Sequence, residues 1–321
     1  MNPVKKQNLK TNRWIFREWR PVLLLLFFPT LLWAQTGRQD YEVIRELRED
    51  KKLYVVVGNG KLSQTKPGNF FAEFRTIFES EWRFCKYEII TRDEAVKLGG
   101  DTNLFFLRLS QDYSRDLFGA AARLSKGYQK DLNRMLFPHL QHPEIIQYSM
   151  GYDKTRNALE CKGQVCLRPT LRLLVRSVQA YLQTAYAIED ARFEAVAWAN
   201  REKLATATWL VDRDTIAEGI LEDGTFQKRC PIPVAFRDFW TESLALTGKE
   251  WKESQVALVH FNHVDQSTNG NWDSHLISLS GDLLFYHPFR EGDRLLLPYP
   301  HVNTAFLEAL SAWMVKESLN D

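Results

Sequence analysis

The period of the hydrophobic positions changes along this chain, and each change marks an element. Residues 41–52 read as a short charged helix, and Leu53-Tyr-Val-Val-Val57 is a compact β-rich run ended by Gly58-Asn-Gly60. Asn69 is placed to cap a helix over residues 70–82, because Phe71, Phe74, Phe78 and Trp82 recur at helical spacing. Tyr87-Glu-Ile-Ile90 predicts a strand. Thr91 with Glu94 three residues on forms a capping box, which opens a short helix ended by Gly99-Gly100. Residues 103–109 give the next strand. Strand, helix, strand, helix, strand is the order of an α/β unit with at least one parallel pairing.

Between Gln111 and Asp153 the pattern is mixed, with one candidate strand at Ile145-Ile-Gln-Tyr148. Pro169 suits a helix start, and Leu171, Leu174, Val175, Val178, Leu182 and Ala185 then line one face for about five turns. Arg168, Arg172 and Arg176 form a basic row on that helix. A solvated face is the ordinary explanation of such a row, and contact with an anion or a membrane surface is the sharper one. A second helix over residues 192–204 is expected to pack beside the first.

The opening pattern then returns. Thr206-Ala-Thr-Trp-Leu-Val211 is a strand, residues 212–224 a turn and short helix, and Pro231-Ile-Pro-Val-Ala-Phe236 an extended stretch. Residues 237–246 read as a helix and residues 255–261 as a strand. Cys85 precedes Arg92-Asp93 by the same spacing that separates Cys230 from Arg237-Asp238. With the order of elements, this points to an internal duplication. The expected architecture is α/β (or α+β), with two related strand-helix-strand units, central helices and a C-terminal helix over residues 304–319. The expected division is 41–153, 154–204 and 205–321.

The run from Thr206 through Pro231-Ile-Pro-Val to Val256-Ala-Leu-Val resembles a recurring unit in uncharacterised secreted proteins of Bacteroidota type. Trp82-Arg-Phe-Cys-Lys-Tyr-Glu-Ile-Ile-Thr91 is similar to their other half. The resemblance covers roughly two-thirds of the chain beyond residue 34. It implies a paired α/β architecture and brings no catalytic motif.

Charge changes the picture at the N-terminus. Lys5, Lys6, Lys10, Arg13, Arg17 and Arg20 lead into an apolar run from Val22 to Trp33, followed by Ala34-Gln35. That order is the grammar of a secretory signal over residues 1–34. The rival reading is an uncleaved anchor, which length disfavours. A spanning helix needs roughly 20 apolar residues, whereas Val22 to Ala34 offers 13, broken by Pro29 and Thr30. Six of the 42 basic and one of the 40 acidic residues lie in this segment, which leaves 36 against 39, a net of −3. Such a balance argues against a nucleic-acid binder. The expected product is periplasmic or extracellular, without stable membrane insertion, and its partner an unknown protein or small ligand of the cell envelope.

An oxidising compartment makes disulfides plausible for the four cysteines. Cys161 and Cys166 can close a small loop, and a Cys85–Cys230 bridge would fit a duplicated fold. No cofactor is called for. Gly58-Asn-Gly60 lacks the third glycine of a dinucleotide fingerprint, since Ser63 stands there. Five of the seven histidines, His260, His263, His275, His287 and His301, fall within 42 residues, with Asp265 and Asp273 among them. Neutral imidazoles and carboxylates hold divalent metals or move protons, so His263, Asp265, Asp273 and His275 are the candidate metal ligands. His260 and His263 on one strand would face opposite ways, and neither a His-Glu-x-x-His nor a Gly-x-Ser-x-Gly motif occurs. Trp82, Trp198, Trp209 and Trp313 sit on apolar positions and read as core rather than as a sugar-binding surface. The leading expectation is a non-catalytic binding or interaction protein. The alternative is a hydrolase, metal-dependent or not, built on residues 260–301.

Overall fold

The computed structural model describes residues 40–57, 70–98, 101, 103–113, 117–127, 146–153, 167–211, 216, 218–222, 224–236, 256–263, 272–287 and 302–316. The chain is a mixed α/β protein. Its first part runs α1 (residues 40–49), β1 (Leu53–Val56), α2 (Phe70–Glu81), β2 (Tyr87–Ile90), α3 (Arg92–Leu98), β3 (Phe105–Tyr113), β4 (Leu117–Lys126) and β5 (Ile146–Asp153). Three helices follow: α4 (Leu167–Ile188), α5 (Phe193–Ala199) and α6 (Arg201–Ala205). The second part runs β6 (Thr208–Val211), α7 (Glu218–Glu222), α8 (Thr225–Arg229), β7 (Val234–Phe236), β8 (Val256–His263), β9 (Trp272–Ser278), β10 (Leu283–His287) and α9 (Thr304–Val315).

The two five-stranded sheets are wound alike. The first has the order β2-β1-β3-β4-β5, with β1 parallel to β2 and β3, and β4 antiparallel to β3 and β5. The second has the order β7-β6-β8-β9-β10 with the same directions. The recurrence read in the sequence is thus present as topology, although the cysteines do not mark it residue for residue. Leu53 pairs with Tyr87 and Phe105, as Trp209 pairs with Val234 and Ala257. Counted from those partners, Cys85 stands two residues ahead of its edge strand and Cys230 four ahead.

Parallel strands covered on both faces read as continuous apolar runs, and β1 is such a run. Leu53, Val55 and Val57 join Phe105 and Leu107 in the main core, while Val56 and Phe106 join Ile90 and Ala95 in a small core that includes α3. The capping box forms as expected: the Thr91 N–H donates to Glu94 Oε2 at 2.7 Å, and the Glu94 N–H to Thr91 Oγ1 at 3.2 Å. Phe74, Phe78 and Trp82 of and just beyond α2 are buried, with Phe78 stacked on Trp82 at 4.7 Å.

Helix α4 is the shared element. Leu171, Leu174, Val175, Val178, Leu182 and Ala185 are all buried, as their spacing predicts. It packs on α2, β4 and β5 of the first part and on α5 and β10 beyond it, so one continuous core runs through both sheets. Its end is a Schellman turn, in which the Asp190 N–H bonds to the Ala185 carbonyl at 3.2 Å. Glu189 therefore sits at φ 57°, the left-handed position that glycine fills at no steric cost. Helix α9 begins at Asn303, whose side chain accepts from the Phe306 N–H at 2.9 Å, and buries Phe306, Leu310 and Trp313.

Three expectations are corrected. The helix over residues 192–204 is two helices, broken at Asn200. That side chain is buried and donates from Nδ2 to the carbonyls of Val196 and Leu283, both at 3.2 Å, so the break ties the segment to β10. The mixed stretch after Gln111 contains the full strand β4, whose Phe-Gly-Ala-Ala-Ala is poor in strand-forming residues but pairs along its length with β3. The extended stretch at Pro231 is preceded by α8, a helix that the pattern did not reveal.

Three substitutions follow from backbone conformation. A Cβ on Gly281 (φ +96°) would lie 2.4 Å from the Arg176 carbonyl carbon and 2.7 Å from the Ser177 nitrogen, both backbone atoms of α4. Gly281→Ala should cost about 2–4 kcal/mol in urea unfolding, combining left-handed strain with overpacking. Gly224→Ala (φ +70°, nothing within 4 Å) should cost only about 1 kcal/mol. Equal losses would show that the contact with α4 is unimportant. Glu189→Gly should be stabilising by up to about 1 kcal/mol in the same assay.

Candidate functional site

The histidine-rich strands β8, β9 and β10 are hydrogen-bonded neighbours. His260 stands opposite His275, which stands opposite Tyr286 on the other side. His263 stands opposite Trp272, and Asn262 opposite Asp273. Direct partners share a face and neighbours along a strand alternate. His263 is therefore out of step with the His275 row, while Asp273, two residues from His275, is in step with it. The register thus sets His263 apart from Asp273 and His275; Asp265 and His301 lie outside the described residues.

His275 is itself a core residue, 1% exposed. Its ring lies 5.7 Å from Phe193 and 5.2 Å from Tyr286, and Phe193 in turn packs on Tyr181 of α4 at 4.9 Å. The imidazole is thus part of an aromatic chain that links β9 to α4. Trp82, Trp209 and Trp313 are buried, and Trp198 is half-buried with Arg201 over its ring at 4.3 Å. Among the described residues no three metal-ligating side chains gather, and no helix is long and apolar enough to cross a membrane.

The Cys85–Cys230 bridge is not formed. Both are free thiols at the approaches to β2 and β7, the corresponding edge strands of two different sheets. Burial pushes Cys85 up to about 11, against smaller opposing pulls from Trp82 and Arg48. It pushes Cys230 up to about 11 as well, against the backbone hydrogen bond at Ile232. Thiols held so high are protonated at neutral pH and poor nucleophiles. Cys161 and Cys166, like Gly58-Asn-Gly60, lie outside the described residues.

No protein-family model, curated protein or solved structure matches the chain. Its own polar groups are therefore the guide, and among the described residues one set of them joins the two parts at a seam.

There the basic row of α4 meets Glu81, the last residue of α2. Arg172 Nε is 3.1 Å from Glu81 Oε1 and Arg176 Nε 3.1 Å from Glu81 Oε2. Arg176 also donates to the Leu279 carbonyl at 3.3 Å, in the turn between β9 and β10. The solvated-face reading is thus corrected for Arg176, whereas Arg172 pairs with Glu81 from an exposed position. Arg176 spans the seam, holding a carboxylate of the first part and a carbonyl of the second.

The turn itself is a closed polar knot. The Asp282 N–H donates to Ser278 Oγ at 2.9 Å, and Ser278 and Ser280 hydroxyls lie 3.1 and 2.7 Å from Asp282 Oδ2. Lys203 of α6 binds Asp282 Oδ1 at 2.8 Å and the Asn200 side-chain oxygen at 2.8 Å. Burial raises the Asp282 pKa, but the hydrogen bonds from Lys203, Ser280 and Ser278 and the Lys203 charge outweigh it, so the net shift is downward. A serine beside a carboxylate invites a nucleophile reading. A carboxylate stabilised as the anion is a weak base, and Ser278 is fully buried. The knot is a fastening.

Gly281-Asp282 is a turn signal in the sequence, but the signal does not give the turn's target. The signal present was chemical: Ser-x-Ser-Gly-Asp can tie a turn to itself. That the turn would meet α4, or find Lys203, is tertiary information.

Asp282 supplies the pH test. Its folded pKa lies below the ordinary carboxylate value, so its contribution is complete above about pH 4 and is lost as pH falls through the folded value. Asp282→Asn should cost on the order of 1 kcal/mol at pH 7, discounted because Lys203 is half exposed. The gap to the unmodified chain should narrow in acid unfolding measurements as pH falls below the ordinary carboxylate value. A gap that stays unchanged through the whole acid titration would contradict the role given to the ionised carboxylate.

Proposed function

We propose that the chain is an exported, non-catalytic binding protein of the cell envelope, whose two like-wound sheets are presented to a partner protein or small ligand as one body. The observation that supports this reading is the seam. Its chemistry-bearing groups, Glu81, Arg172, Arg176, Lys203, Ser278, Ser280 and Asp282, bind one another and fasten structure to structure. The buried histidine does the same by packing among aromatic rings. Export rests on the charged and apolar grammar of residues 1–34.

The test is native co-purification from the envelope fraction, run beside metal analysis and N-terminal sequencing. The expected product begins at Gln35 and carries a stoichiometric partner or ligand that survives His263→Ala and Asp273→Ala. A stoichiometric divalent metal lost in those variants, together with hydrolytic turnover that falls with it, would overturn the proposal.

A further inference from the structure

We draw no further inference here: the strongest candidate, the surface patch where Arg201 lies over the half-buried Trp198, Trp198 meets Trp313 edge-on at 5.3 Å and α9 ends at the exposed Val315, carries nothing because nothing in the structure shows what covers it.

Discussion

The contact of the β9–β10 turn with the backbone of α4 is the constraint on which the rest of the molecule depends. Gly281 touches the peptide between Arg176 and Ser177 at a distance no other side chain allows. With α4 set there, Arg176 reaches both Glu81 and the Leu279 carbonyl. Close packing makes such seams discrete rather than continuously adjustable. Ion pairing alone would be a weak fastening, because surface pairs contribute little. The pairs gain from their setting: Arg176 and Glu81 are each only 21% exposed, and the apolar row Tyr181–Phe193–Tyr286 crosses the same gap.

The two parts share winding but not detail. In the first, Glu81 ends α2 and pairs with arginines on α4, the helix that follows the fifth strand. In the second, Arg229 ends α8 and pairs with Glu308 on α9, the helix in the matching place. The charges are exchanged while the helix-to-helix contact is kept. Cys85 and Cys230 repeat the theme as protonated, half-buried thiols at matching corners. The helices differ in reach as well. Helix α4 has 22 residues and continues past its own sheet to the next, whereas α9 has 12. That extra length lets one core serve both sheets.

What the sequence made legible was local. The capping box at Thr91, the apolar stripe of α4, the strand at Tyr87 and the α9 anchors all follow from spacing within a few turns. Strand β4 was hidden because Gly-Ala-Ala-Ala lacks the β-branched and aromatic residues that mark a strand, and the pairing on both sides that holds it is tertiary. The break at Asn200 was hidden because its partner is Leu283, 83 residues away. The site was less legible than the fold. Histidines close in sequence drew the eye, but strand parity separates His263 from His275. The seam groups, spread from Glu81 to Asp282, carry no spacing that could have joined them.

The central claim is that α4 makes the two sheets one cooperative body. Trp82 and Trp209 are both buried, Trp82 just beyond α2 of the first part and Trp209 within β6 of the second sheet, and report on the two parts separately. The direct measurement is urea unfolding of 5-fluorotryptophan-labelled protein, with the fluorine resonances of these two residues followed together. Coincident loss of both native signals at one midpoint, shifted equally by Gly281→Ala, is the predicted result. Loss of one signal while the other remains native would contradict the account.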